Sequence, residues 1–360
     1  YFDVVYTANQ QSVPVNYVVK DSKGNTLSGD KLLFTKNFSN IVGKTDESFS
    51  DADVMTLTSD AMKQAGYAVA ILDSKGNAIA NTMNPDELIA TLKSMSFSMA
   101  TQAQWQDGFT VQYSPLATKA MVHYQVDASV TNKPTVSADT PINGFVGENY
   151  EFNAIPKIPG YTILVTRDDG ALNDKGNYDA TQNSISGTFN AADIAEDAVA
   201  NYTVTYIPSS QNIKLHYDVT EPAGMSVPDN VILPGDSTPA VTTDTAYSLS
   251  SKPTPGYVIS GVRVNNLDSS GNYVKTEYSL AEIENMPTKT VDQQTAGMKI
   301  YELPNGATVA LSEFNAAGVP SVLTFGNTAK VANDGQLQTS SYDVVLTPTE
   351  QQYTADYSWA

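Results

Sequence analysis

The chain of 360 residues has no cysteine, only two histidines and two tryptophans, and about half as many basic as acidic side chains, 20 against 39. Without cysteine there is no disulfide, no thiolate nucleophile and no thiolate metal ligand. Large extracellular animal proteins usually carry disulfides, so the absence leaves a reducing compartment or a bacterial surface protein held by burial alone. The shortage of cations gives a net charge of −19. That excludes nucleic acid as a natural partner, because Lys and Arg supply the counterion release on which such binding rests. No apolar run approaches the roughly 20 residues of a bilayer span, so no membrane contact is expected of this chain. It starts at Tyr1 with no signal or transit segment, and both ends read as cut from something longer.

What the chain does have is tyrosine, 20 of them, with abundant Thr, Val, Ser and Asn. Aromatic and β-branched side chains suit pleated, half-buried surfaces. Phe2, Val4 and Tyr6 alternate with their neighbours, and the same period of two returns at Phe109–Tyr113, Tyr202–Tyr206 and Tyr342–Leu346. Three of these four strands stop two residues later at Pro115, Pro208 and Pro348, where the ring removes a ladder donor. Each is followed closely by a second alternating strand, at residues 13–19, 122–126, 213–219 and 353–359. We term the two kinds closing and opening strands.

Between them a unit recurs: Ala65-Gly66-Tyr67 leading to Gly76-Asn77, Pro159-Gly160-Tyr161 leading to Gly176-Asn177, and Pro255-Gly256-Tyr257 leading to Gly271-Asn272. A middle landmark precedes each copy, at Ser48-Phe49, Asn149-Tyr150 and Ala246-Tyr247. The repeat divides the chain into a closing strand at residues 1–9, modules at 10–116, 117–210 and 211–349, and an opening strand at 350–360. The first module carries inserted helices and the third a long insert. Short joints make a semi-rigid rod the expected arrangement.

Helix signals punctuate the strands. Ser50 with Asp53 opens one, Asn84-Pro85-Asp86-Glu87 a second, Asn190 a third, and Ser279-Leu280-Ala281-Glu282 is a capping box closed by Pro287. The fold class expected is β-rich α+β, a tandem of small modules.

The landmarks resemble the mucus-binding (MucBP/Mub) repeats of lactobacilli and related Gram-positive bacteria. The middle module carries the likeness best, in Val122-His-Tyr-Gln-Val126, Val146-Gly-Glu-Asn-Tyr150, Ile158-Pro-Gly-Tyr161, Gly187-Thr-Phe189 and Tyr202-Thr-Val-Thr-Tyr206. The third module lacks the middle glycine, and the first has Ala65 where proline is expected. The resemblance implies ubiquitin-like β-grasp modules, export, a cell-wall-anchored parent protein, and adhesion to mucus glycoproteins or, for some relatives, to immunoglobulin.

Catalytic signatures are missing: there is no complete Gly-x-x-x-x-Gly-Lys-Ser/Thr phosphate loop, no Gly-x-Ser-x-Gly elbow and no His-Glu-x-x-His. His123 and His216 occupy one scaffold place in successive opening strands, on the face opposite the neighbouring tyrosine. We therefore expect no enzyme, no cofactor and no dedicated metal site. The oxygen-rich loop at residues 168–179 could offer Ca²⁺ ligands, but it lacks the EF-hand spacing and terminal Glu. A Lys–Asn cross-link would suit a rod without disulfides, and the spacing selects no pair.

Most tyrosines fall at repeated core positions, Tyr6 and Tyr357 among them. Those left over include Tyr178 and Tyr273, which follow equivalent turns in consecutive modules, together with Tyr278, Tyr301 and Trp105. Tyr178, Tyr273 and Trp105 are the candidate carbohydrate contacts, with hairpin packing as the competing role. The expected function is a non-enzymatic surface adhesin fragment that binds mucin-type glycoprotein through many weak contacts. The alternatives are a stalk that spaces a distal adhesive head, and a module binding immunoglobulin or another host protein by strand addition. The negative field predicts binding to acidic glycans that strengthens toward about pH 4–5, as carboxylates protonate.

Overall fold

The computed structural model describes residues 1–27, 38–52, 66–81, 90–97, 108–168, 176–190, 200–226, 231–289, 298–350 and 354–358. Two compact units emerge. The first comprises Tyr1–His123, Ala138–Ile155 and Val165–Val204; the second comprises Tyr124–Ser137, Pro156–Leu164 and Thr205–Ala360. The chain is β-rich, with several separate sheets.

The first unit opens with β1 (Gln10–Val19), β2 (Phe38–Lys44), β3 (Tyr67–Leu72), β4 (Ala78–Asn81) and β5 (Phe109–Pro115), in sheet order β2-β1-β5-β3-β4. The opening strand β1 runs parallel to the closing strand β5, and the other pairs are antiparallel. Alternation buries Val13, Val15, Tyr17 and Val19 from β1 against Phe109, Val111 and Tyr113 from β5. Next come β6 (Ala117–Val126), β7 (Thr140–Phe145), β8 (Asn149–Phe152), β9 (Tyr161–Arg167), β10 (Gly176–Asp179), β11 (Ser184–Thr188) and β12 (Ala200–Pro208). They form sheets ordered β7-β6-β12-β9 and β10-β11-β8, and the division between units falls within β6, β9 and β12.

The second unit holds β13 (Ser210–Asn212), β14 (Lys214–Val219), β15 (Ala240–Thr242), β16 (Ala246–Ser250), β17 (Tyr257–Leu267), β18 (Tyr273–Ser279), helix α1 (Leu280–Glu284), β19 (Thr288–Lys289), β20 (Ile300–Glu302), β21 (Thr308–Phe314), β22 (Pro320–Thr328) and β23 (Thr339–Pro348). One sheet is ordered β14-β23-β17-β18, again with the opening strand parallel to the closing strand; a second is β16-β22-β21-β20-β19. Helix α1 carries the capping box read from sequence: the Glu282 amide donates to Ser279 Oγ and the Ser279 amide to the Glu282 carboxylate. Ile283 is its buried residue.

An aromatic trio recurs in the cores. The landmark Phe49 packs on Phe97 and Phe109, with ring centroids 4.8 and 6.0 Å apart. Tyr150 packs on Phe189 and Tyr202 at 4.6 and 6.4 Å. In the third copy Phe325 stacks on Tyr342 at 4.1 Å, and Tyr342 meets the Tyr247 hydroxyl. Each trio joins a landmark residue, the first aromatic of a closing strand and an aromatic from the segment between them. The Phe49–Phe109 and Tyr150–Tyr202 pairs meet edge to face, an arrangement that ring quadrupoles favour.

The repeated Gly-Tyr acts as a clasp. Gly66, Gly160 and Gly256 have φ of +94°, +80° and +81°, a region L side chains disfavour. In this turn each glycine carbonyl accepts the amide of the residue after the closing proline: Leu116 at 2.9 Å, Ser209 at 2.8 Å and Thr349 at 2.9 Å. The strand-ending prolines thus hand the ladder to the next residue.

On the side of the second unit's first sheet opposite its core, charges pair across strands. Arg263 Nε donates to Glu277 at 2.6 Å, and the same guanidinium meets Asp218. Asp343, only 5% exposed, is paired by Lys275. The register places His216, Asp343, Arg263 and Glu277 side by side over four strands.

Several expectations need correction. Residues 1–9 and 354–358 form no strand, and Tyr6 and Tyr357, read as core, are 92% and 88% exposed. The alternating pattern there meets no neighbouring strand, and alternation by itself buries nothing. Tyr301, grouped with the non-core tyrosines, is buried on β20. The long insert of the third module supplies β20, β21 and β22. The helices opened by Asn84 and Asn190 begin outside the described residues; among the described residues 90–93 are helical, and Leu92 is fully buried.

Candidate functional site

Five-residue hairpin turns with glycine fourth build the site. In Asp268-Ser-Ser-Gly-Asn272 the Asp268 carboxylate accepts the amides of Ser270 at 2.8 Å and Asn272 at 2.9 Å. The backbone closes behind it, with the Asp268 amide to the Asn272 carbonyl at 2.8 Å. This is a three-residue loop with glycine in the left-handed place and an Asx brace. Leu303-Pro-Asn-Gly-Ala307 and Ala332-Asn-Asp-Gly-Gln336 close in the same way, through Leu303 N to Ala307 O and Ala332 N to Gln336 O, both 2.8 Å.

These three turns converge on a cleft of about 730 Å³. That lies within the roughly 300–1,000 Å³ of small-molecule sites. Two lining residues, Asn266 and Asn305, belong to a braced polar cluster: Asn305 Nδ2 donates to Thr339 Oγ1 at 2.7 Å and to Asn266 Oδ1 at 3.2 Å, and Thr339 donates to Asn266 Oδ1 at 2.7 Å. The walls offer Asp268, Asn333, Asp334 and Gln338, interleaved with Leu267, Pro304 and Val331. Among the described residues the side-chain amides of Asn333 and Gln338 have no hydrogen-bond partner, so both are open to a ligand.

Tyr273 stands beside this cleft. Its hydroxyl donates to the Leu337 carbonyl at 2.6 Å while 40% of the residue stays exposed. Burial first, and then the Asp334 carboxylate, push its pKa up, so it stays a neutral phenol with a fixed ring plane. Tyr178 behaves differently. Its hydroxyl donates to Asn183 Oδ1 at 3.1 Å, Asn183 is itself buried with φ +56° and donates to the Ile155 carbonyl at 2.7 Å, and Tyr178 is half-buried. It fastens the β10–β11 hairpin. Trp105 lies outside the described residues, as do residues 169–175 of the oxygen-rich loop. Among the described residues no group of three or more His, Asp or Glu gathers as a metal site.

The two histidines share one arrangement on the outer faces of their strands. His123 Nδ1 is 2.7 Å from Asp139 Oδ2, and its Nε2 is 3.2 Å from Asn201 Oδ1. His216 Nδ1 is 2.5 Å from Asp236, which also meets Lys214 Nζ at 2.8 Å. The sequence singles out Tyr273 as a candidate contact and gives no sign of the cleft. Only the separate turns are legible, by glycine fourth in the 303–307 and 332–336 segments, as in the 268–272 turn.

No protein-family model matches the chain, and no curated protein matches it. Among solved structures it is similar to the pilus adhesin SpaC of Lactobacillus rhamnosus GG, at 9% identity over 95% of this chain and 43% of that one, with a TM-score of 0.20. It is also similar to the shaft pilin SpaA of the same organism, at 10% identity over 96% of this chain and 100% of that one, with a TM-score of 0.14. The chain spans less than half the length of the pilus adhesin.

Proposed function

We propose that this chain is a non-enzymatic segment of a Gram-positive surface adhesin that holds mucin-type glycoprotein, with the cleft beside Tyr273 as its contact. The observation that carries the reading is a preformed polar cleft whose walls are braced turns, with the part-exposed phenol of Tyr273 paired across strands with the lining residue Leu267. Such a site needs little ordering when a glycan enters, and ordering is a main cost of binding flexible polymers. The module boundaries and the β-grasp assignment belong to the same proposal. A sheet ordered β2-β1-β5-β3-β4 with first and last strands parallel at its centre supports the assignment. Tandem modules would multiply weak contacts into avidity.

Binding of the chain to immobilised mucin at about pH 7 and pH 4.5, with Tyr273→Ala and Tyr178→Ala, tests the reading. Retention that grows in acid and falls with Tyr273→Ala is the expected result. Silence at both pH values, unrelieved by salt, leaves the stalk reading. Immunoglobulin capture without mucin binding moves the function to strand addition, for which β18 is an edge strand of its sheet among the described residues.

A further inference from the structure

We propose that the cleft formed by the 268–272, 303–307 and 332–336 turns selects a neutral, hydroxyl-rich saccharide and rejects sialylated or sulfated ones. The proposal rests on the glycan reading above and names its ligand class. Among the described residues, Asp268 and Asp334 are the charged residues lining the cleft, and no Lys or Arg lines it. An anionic sugar would enter against the two lining carboxylates, with Lys330 near the 303–307 turn as the neighbouring cation, at a cost that grows as water leaves the cleft. Sugar hydroxyls suit the same walls. They can donate to carboxylate oxygen and both donate to and accept from the free amides of Asn333 and Gln338. Leu267, Pro304 and Val331 give apolar surface for the C–H face of a ring. Lys330, next to Val331 and near Gly306, is the closest cation along the chain, but it does not line the cleft.

The specificity is therefore local, unlike the diffuse repulsion of the whole chain. Asp334 tests this separately from net charge. Its Oδ1 accepts the Gln336 amide at 3.0 Å, a role an asparagine oxygen keeps, so Asp334→Asn removes one charge and spares the turn. The chain and its variants would be screened at about pH 7 against neutral, sialylated and sulfated oligosaccharides and against intact mucin. The expected result is binding to neutral glycans, about three- to tenfold weaker in Asn333→Ala and in Gln338→Ala, as for one lost hydrogen bond each. Asp334→Asn should gain severalfold toward sialylated ligands, while neutralising an acid outside the cleft, Glu313→Gln, should not. Preference for acidic glycans in the native chain overturns the selectivity but leaves the adhesin reading standing. Mucin binding that ignores all cleft substitutions overturns the cleft as the contact. Loss of every glycan and mucin signal overturns both readings. Folding of each variant is checked by its thermal transition.

Discussion

Tyr150 and Tyr202 join their hydroxyls at 2.7 Å inside the first unit, one from the middle landmark and one from the closing strand. Tyr247 and Tyr342 repeat the bond at 3.1 Å in the second unit. In these two copies the landmark and closing-strand tyrosines thus serve as hydrogen-bonded pairs. A buried hydroxyl deprived of its partner costs about 1–3 kcal/mol, whereas removing both partners is far cheaper. Tyr150→Phe and Tyr202→Phe should each destabilise by that amount, and the double variant by less than the sum. Denaturant unfolding of the four proteins measures the coupling. Full additivity would show that the two hydroxyls do not depend on each other.

Gly160 and Gly256 separate two costs that usually arrive together. Both sit in the second unit at φ near +80°, at +80° and +81°. A Cβ at Gly256 would meet open space, but at Gly160 it would lie 2.6 Å from Val331 Cγ2 and 2.8 Å from Thr243. Gly256→Ala should therefore cost only the left-handed backbone, about 1–2 kcal/mol. Gly160→Ala should cost that plus overpacking of about 1–3 kcal/mol. Thermal unfolding should rank Gly160→Ala as clearly the less stable, and equal midpoints would remove the packing role given to this glycine.

Much of the β architecture was legible because alternation, proline stops and Gly-Tyr pairs are local signals. The prolines read as strand ends are the final residues of β5, β12 and β23. The capping box of α1 was equally readable, since its partners lie three residues apart. What stayed hidden depends on distance. Nothing near Phe97 or Phe325 announces that it completes an aromatic trio with residues tens of positions away. Tyr6 carries the same alternation as Tyr113 yet is exposed, because burial needs a neighbouring strand and the pattern alone does not provide one. The cleft escaped for the same reason. Each of its turns is ordinary by itself, and only the fold brings three together beside Tyr273.

His123 gives the first unit a pH dependence of definite sign. The hydrogen bond to Asp139, then that to Asn201, hold its pKa above the ordinary 6.5, against a smaller opposing effect of burial; Asp139 and Asp168 add attraction. Since the folded value is the higher, protonation favours the folded chain. The stabilisation is complete below about pH 6.5 and disappears as the pH climbs through the raised value. The side chain is 39% exposed, so the effect is modest. Comparing native protein with His123→Gln, the stability difference should shrink between about pH 5.5 and 8.5. A difference that stays flat across that range would falsify the His123–Asp139 link as a source of stability.

The turn aspartates act in the opposite sense and set how far acid can strengthen adhesion. Asp21, Asp73 and Asp268 each brace a turn, and bonds to the residue four places on are the largest cause holding their carboxyls below the usual 3.8. Their contribution is present above that value and is lost as pH falls through the depressed folded pKa. At pH 4–5, where less acidic carboxylates begin to protonate and repulsion of acidic mucin eases, these braces are still intact. Mucin retention should therefore rise from about pH 7 to 4.5 without a fall in melting temperature from the turns, and both should drop below about pH 3.5. Asp268→Asn keeps an oxygen for the Ser270 and Asn272 amides and should soften the acid drop. Asp268→Ala removes the acceptor and should lower both melting temperature and cleft binding at neutral pH. Calorimetry across the series, run beside the mucin assay, separates loss of the turn from loss of charge. Identical behaviour of the two variants would mean that the carboxylate, and not its hydrogen bonds, shapes the cleft.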